Sequence, residues 1–261
     1  MPRNIKIDFQ VSNDSNALAH AGARFFTEKI RTAVAARGRA SIAISGGSTP
    51  KTAFALMADA AQPYRAALPW DRIEFFWVDE RSVPPESSDS NYRMTCEALL
   101  NHVPVAPSQI FRMEGELEPE VAASRYESLL RNHFRLEGAQ SPPFDLVALG
   151  MGDDGHTASI FPNTEAIHAI GRICVANYVP QKESWRLTLT WPVINQARKV
   201  FFLIGGADKA AVLKRVLGEE YNPELLPSQL IRPQSGKLTM IVDRAAAALL
   251  TPAELADSKT K

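Results

Sequence analysis

One stretch of this chain concentrates groups able to move protons: Gly150-Met151-Gly152-Asp153-Asp154-Gly155-His156-Thr157-Ala158-Ser159. Its glycines let the backbone turn sharply, and the turn displays two carboxylates and one imidazole. An imidazole with an ordinary pKa of about 6.5 suits general-base work at neutral pH. The chain has five histidines. His20, His102 and His133 fall within or at the end of helical patterns and His168 in a loop, where surface or packing roles are expected. Only His156 sits in a glycine turn after an apolar run, so it is the candidate base. Asp154 and His156 supply at most two metal ligands where a catalytic zinc site needs three, so no metal is expected.

Gly150, Gly152 and Gly155 match G-x-G-x-x-G literally. A dinucleotide site also needs an acidic residue about 20 positions on to hold the ribose. Ala166 to Lys182 contains no Asp or Glu, Asp153 and Asp154 would repel a pyrophosphate, and Pro162 interrupts the helix expected to follow. No nucleotide cofactor is therefore expected. A second turn, Ser45-Gly46-Gly47-Ser48-Thr49-Pro50, joins a strand to a helix start. Such a turn cradles a phosphate with Gly46, Gly47 and Ser48, or is simply a tight turn and a cap. It lacks the Gly-Lys-Ser/Thr ending of a P-loop and the G-x-S-x-G order of a nucleophile elbow. A third segment, Trp77-Val78-Asp79-Glu80-Arg81, places three charges at a strand end. It is either a solvated ion pair or a carboxylate for sugar hydroxyls beside a guanidinium for phosphate. The Pro84–Ser90 stretch reads as a site loop, with Asn91 and Tyr92 at its far end. Lys209, at a helix start after Gly205-Gly206, opposes the helix dipole unless an anion is near. Arg186, by itself, is uninformative.

The elements that must position these residues alternate. Short apolar runs at 41–44, 73–78, 144–149, 172–176, 200–204 and 238–242 read as strands. Several lack in/out alternation, as strands buried on both faces of a parallel sheet do. Helical patterns cover 14–36, a segment opened by Thr49-Pro50, a segment capped by Asp89 or Ser90 and running to about Asn101, 118–137 and 208–218. The pattern predicts an α/β fold, a mostly parallel sheet with helices on both faces, whose ligands bind beyond the carboxyl ends of the strands. No Pro/Gly/Ser-rich linker interrupts residues 1–261, so one domain is expected.

Composition narrows the class further. Lys+Arg and Asp+Glu are both 29, giving a formal net charge of +0, which argues against a nucleic-acid partner and a polybasic membrane-surface role. The longest apolar run, Val200 to Ile204, is too short to span a bilayer. Cys96 and Cys174 form no disulfide framework and are expected as free thiols in a reducing cytosol. The N-terminus shows no signal-peptide core, so a cytoplasmic protein is expected.

Taken in order, these motifs resemble the 6-phosphogluconolactonase family. The resemblance rests on Ser45 to Pro50, Trp77 to Arg81 with Ser90-Asn91-Tyr92, Gly150 to Pro162, Arg186 to Thr190 and Gly205 to Ala210, and runs from about residue 20 to 245. It implies a single Rossmann-like α/β domain without a cofactor. It also implies a sugar-phosphate lactone, 6-phospho-D-glucono-1,5-lactone, as substrate in the pentose phosphate pathway. His156 is then the general base, with Asp154 orienting it. Arg186 and Lys209 match positions expected to hold the phosphate, with help from Gly46, Gly47 and Ser48, while Asp79 and Arg81 address ring hydroxyls or phosphate. A glucosamine-6-phosphate deaminase is a related alternative, but its chemistry needs an acid soon after the histidine, and none precedes Glu165. A sugar-phosphate sensor is a second alternative, disfavoured by the lack of a helix-turn-helix-sized extension before residue 14. Oligomeric state is not legible, and a monomer is expected.

Overall fold

The computed structural model describes residues 5–218, 220–256 and 259–260. The chain runs β1 (Ile5–Ser12), α1 (Ser15–Arg37), β2 (Ala40–Ile44), α2 (Ser48–Ala58), α3 (Pro63–Ala67), β3 (Ile73–Trp77), β4 (Asp79–Arg81), α4 (Asn91–Ala98), β5 (Ile110–Phe111) and α5 (Pro119–Phe134). It continues through β6 (Leu146–Leu149), β7 (Cys174–Val179), β8 (Ser184–Leu189), α6 (Trp191–Gln196), β9 (Val200–Ile204), α7 (Ala210–Gly218), β10 (Lys237–Asp243), α8 (Pro252–Ala256) and β11 (Lys259–Thr260).

The main sheet has the order β11-β1-β10-β9-β6-β2-β3-β5, all parallel except the antiparallel edge strand β11. Every residue of β2, β6 and β9 is buried, as their unbroken apolar sequences require. Helices flank the sheet. α1 lies against α2 and strands β1, β2 and β10, and it buries Leu18, Phe25, Phe26 and Ile30. Asp14 caps α1 by accepting from Ala17 N, and Gly38, at φ 78°, ends it. At the β5 edge Phe76 stacks on Phe111 with centroids 4.7 Å apart and packs edge-on against Phe144. Among the described residues no helix is long and apolar enough to cross a membrane.

The α/β architecture follows the sequence pattern, with four local departures. Residues 5–12 form a strand absent from the expected set, which followed unbroken apolar runs; here Ile5, Ile7 and Phe9 alternate with exposed Lys6, Asp8 and Gln10, the period of a half-buried strand. The strand expected at 172–176 instead covers Cys174–Val179 and belongs to a separate antiparallel sheet, β4-β8-β7. No helix follows the Gly150–His156 turn; a bridge between Thr157 and Ile160 closes a tight loop there. Helix α4, capped by Ser90, ends at Ala98 and gives way to a 3₁₀ turn at Leu100–His102.

β3 and β4 are consecutive parts of one strand that changes sheets. Val78 N donates to Ile44 O of the main sheet (2.9 Å), while Val78 O accepts from Leu189 N of the small sheet (2.7 Å). The switch is braced by Tyr126 on α5, whose hydroxyl accepts from Trp77 N (3.0 Å) and donates to Trp77 O (3.1 Å). Burial pushes the Tyr126 phenol well up, so it stays protonated and able to donate. Tyr126→Phe strands a buried N–H and a buried carbonyl. It is expected to lower stability by about 1–3 kcal/mol, measured by denaturant unfolding, with an unchanged m-value.

Candidate active site

The order of the main sheet reverses direction between β2 and β6, and at such a point the loops leaving the two strands diverge and open a crevice. A cleft of about 260 Å³ lies there. The loops after β2, β6 and β9, strand β4 and the start of α4 supply Gly46, Gly47, Ser48, Asp79, Arg81, Asn91, Gly152, His156 and Lys209 to its wall.

The β6 turn holds His156 by its own backbone. Gly152 N donates to His156 O (2.9 Å), and Gly155 N donates to Gly152 O (3.1 Å). Asp154 Oδ1 accepts from His156 N (3.0 Å) and is paired with His156 Nδ1 at 2.6 Å. A side chain at Gly152 would collide with both the His156 ring and the Asp154 carboxylate, so only glycine fits beneath the pair. Burial opposes the charge on Asp154, but the hydrogen bonds from the His156 ring and backbone and the imidazole's charge together hold its carboxyl below the ordinary 3.8. By linkage the pairing contributes fully above that value and is lost as pH falls through the lower native one. Asp154 therefore stays anionic at any pH near neutrality. Asp154 itself does not line the cleft. It stands behind His156, whose Nε2 is left without a partner among the described residues.

Asp79 is 6% exposed and takes a hydrogen bond on Oδ2 from Ser159 Oγ (2.8 Å). Its backbone carbonyl accepts from Asn91 Nδ2 (3.0 Å), and the other end of the Asn91 amide packs against Gly46, where a side chain would clash. Helix α2 starts at Ser48 with no side-chain cap, so its first N–H groups remain available at the cleft. Lys209 ends a 3₁₀ turn before α7 and pairs with Asp208 at 2.8 Å.

Arg81 and Arg186 are cross-strand partners in the β4–β8 register. Arg81 Nη1 donates to Asp89 O, and its buried Nε has no partner among the described residues. Arg186 is not among the residues lining the cleft, and its Nε donates to Ser184 Oγ (3.2 Å). Burial, and then the neighbouring Arg81 charge, push the Arg186 guanidinium down. Two like charges at facing positions cost energy, and an anion between or beside them relieves that cost.

Sequence reasoning gave no role to Glu80, although it organises this corner. Its carboxylate accepts from Arg81 N (2.8 Å), Asn91 N (2.7 Å), Tyr92 N (2.8 Å) and Ser90 Oγ (3.1 Å). Glu80 faces away from Asp79 and Arg81 along the strand and ties the far end of the Pro84–Ser90 loop to β4. Burial outweighs these bonds and leaves its carboxyl above the usual range. Asn91 likewise joined the site only through the fold. Its sequence signals were its place at the end of a polar post-strand loop and its part in the Ser90-Asn91-Tyr92 motif. Of the other histidines, His133 packs against Phe111 and meets Glu74 at 3.3 Å, and His20 meets Tyr64 at 3.1 Å, both away from the cleft. Among the described residues no three His, Cys, Asp or Glu side chains converge as metal ligands. Cys96 and Cys174 are both free thiols.

A parallel α/β sheet with a polar cleft at its switch point, lined by Arg81, Lys209 and a histidine backed by a carboxylate, defines a class of small-molecule enzymes acting on anionic substrates. Comparison with known proteins narrows this. Residues 13–240 match the family model described as glucosamine-6-phosphate isomerases/6-phosphogluconolactonase, and the chain belongs to that family. It is 42% identical over 228 residues to a 6-phosphogluconolactonase of Synechocystis sp., covering 87% of this chain and 91% of the relative. It is 39% identical over 245 residues to the Homo sapiens 6-phosphogluconolactonase, covering 92% and 93%. The solved 6-phosphogluconolactonase from Trypanosoma cruzi superposes with a TM-score of 0.81 at 30% identity, covering 95% of this chain and 98% of that one.

Replacing Glu80 with Ala leaves four donors without their acceptor. It is expected to lower stability by about 3 kcal/mol and to raise KM more than it lowers kcat, because Arg81 and Asn91 lose their anchor. Denaturant unfolding and steady-state kinetics check the two parts.

Proposed function

We propose that the chain hydrolyses 6-phospho-D-glucono-1,5-lactone to 6-phosphogluconate in the pentose phosphate pathway, and that one domain carries the whole site. The observation that carries the mechanism is the 2.6 Å His156–Asp154 pair, set in the same cleft as Arg81 and Lys209. Asp154 on Nδ1 fixes the tautomer and leaves Nε2 as the base. Water held at Nε2 loses a proton to His156 as its oxygen bonds to the lactone carbonyl carbon. The charge that develops on the carbonyl oxygen is met by backbone N–H groups of a glycine turn at the cleft. The tetrahedral intermediate then collapses, the bond from that carbon to the ring oxygen breaks, and the imidazolium returns its proton to that oxygen. The carboxylic acid formed ionises and releases one proton to solvent.

Arg81 and Lys209, with Arg186 across the strand pair from Arg81, hold the substrate phosphate, and Asp79 accepts from ring hydroxyls with its Oδ1. Binding the remote phosphate fixes the carbonyl against the activated water, converting an encounter into a positioned reaction. Deamination of glucosamine 6-phosphate is not favoured. Thr157 and Ser159, which follow His156, turn their hydroxyls to Gly150 O and Asp79, and no carboxylate stands at 157–161.

His156→Ala is expected to reduce enzymatic lactone hydrolysis, corrected for the spontaneous rate, by roughly 10²–10⁴-fold. Asp154→Asn is expected to lower kcat by at least about tenfold with little change in KM, because the tautomer and the stabilised imidazolium are both lost. Wild-type protein should release no ammonia from glucosamine 6-phosphate. Turnover of His156→Ala near wild type, or efficient ammonia release, overturns the assignment.

A further inference from the structure

We propose that Phe161 is a positioning residue for the reaction, a flat apolar backing that fixes the plane of the His156 imidazole and favours its protonated form as that form appears. The proposal rests on His156 acting as the base. The two rings are nearly parallel, 17° apart, with centroids 3.9 Å from each other. Phe161 is 3% exposed, so one face of the imidazole is covered by a ring that cannot move aside. The Asp154 bond fixes where Nδ1 lies but leaves the ring free to rock about that contact. The stack removes this remaining freedom, and together the two restraints aim Nε2.

The chain around Phe161 is built to hold that ring. Thr164 Oγ1 donates to Phe161 O (2.8 Å) and Gln181 Nε2 to Pro162 O (3.1 Å). Asn177, buried in the small sheet, donates through Nδ2 to Ser159 O (2.9 Å) and Thr164 Oγ1 (3.0 Å) and so grips the loop on both sides of Phe161. Ala158 and Asn163, with φ of 49° and 57°, adopt left-handed backbone on either side of it. Such conformations persist in non-glycine residues where the surrounding structure enforces them, and they concentrate at functional sites.

The chemistry gives the stack a direction. A neutral imidazole gains only a modest contact from the phenyl face, whereas an imidazolium is attracted by the ring quadrupole. The interaction therefore strengthens as His156 takes the proton from water, and it belongs to the transition state more than to the Michaelis complex.

The test is Phe161→Leu, which keeps an apolar cover and removes the aromatic face. It is expected to lower kcat roughly 3–30-fold with KM changed by less than about twofold. Phe161→Tyr, which keeps the face, should recover most of the loss. In the His156→Ala background Phe161→Leu should change the residual rate by less than about twofold, since the group it serves is gone. A variant-free measurement stands beside these: in the wild-type protein NMR spectrum the His156 ring protons should lie upfield of the ordinary histidine range through the phenyl ring current. The proposal is overturned by ordinary His156 ring shifts, by an unchanged kcat in Phe161→Leu, or by the same loss in both backgrounds. A fully active His156→Ala protein would instead sink the general-base reading, an outcome separable from all of these.

Discussion

Val78 is where the backbone leaves the parallel sheet, and the cleft depends on that departure. Up to Trp77 the strand pairs with β2; from Asp79 it pairs with β8, and Val78 bonds once to each side. Had the strand continued in the main sheet, Asp79 and Arg81 would run on beside the end of β2 instead of crossing to β8. Because it turns to a second sheet, both side chains, two residues apart and so on one face, look across the ends of β2 and β6 toward His156. Tyr126 takes up the two backbone groups of Trp77 that neither sheet can pair. The residue between, Glu80, points the other way and gathers the N–H groups that start α4. One short charged segment thus builds the wall of the site on one face and anchors its rim on the other.

Close approach of backbone is the second constraint. At Gly46 the Asn91 amide, and at Gly152 the His156–Asp154 pair, occupy the volume a side chain would need. These glycines act by the space they leave to a functional side chain. The dinucleotide-like spacing of Gly150, Gly152 and Gly155 is a by-product of a turn whose purpose is to lay an imidazole and a carboxylate against the chain.

What was legible in the sequence follows from how local each signal is. β2, β6 and β9 are buried along their full length, so their apolar runs betray them without knowledge of their neighbours. His156 and Asp154 are two residues apart in a glycine turn, and their pairing needs no long-range fold. β1 and the β4-β8-β7 sheet were harder. Their strands carry polar residues on an accessible or site-facing side, and β7 pairs antiparallel in a sheet that the parallel pattern does not announce. Glu80, Asn91 and Ser159 acquire their roles only when β4 meets α4 and the loop after His156, contacts spanning up to 80 residues of sequence. No spacing rule encodes such meetings.

The neutral total charge conceals a steep local gradient. At the β4–β8 corner Arg81 faces Arg186 across the strand pair, and burial makes the Arg186 charge harder to keep. Behind His156, Asp154 is held ionised. A substrate with a phosphate dianion at one end and a neutral lactone carbonyl at the other matches that gradient in one orientation only. In the mechanism we propose, the phosphate relieves the arginine repulsion, while the carbonyl becomes negative only during the reaction, next to an imidazolium paired with Asp154. Reversed, the phosphate would lie nearer the Asp154 charge behind His156 and the arginines would keep their mutual repulsion, so on the proposed reading the charges that bind the ligand also select its direction.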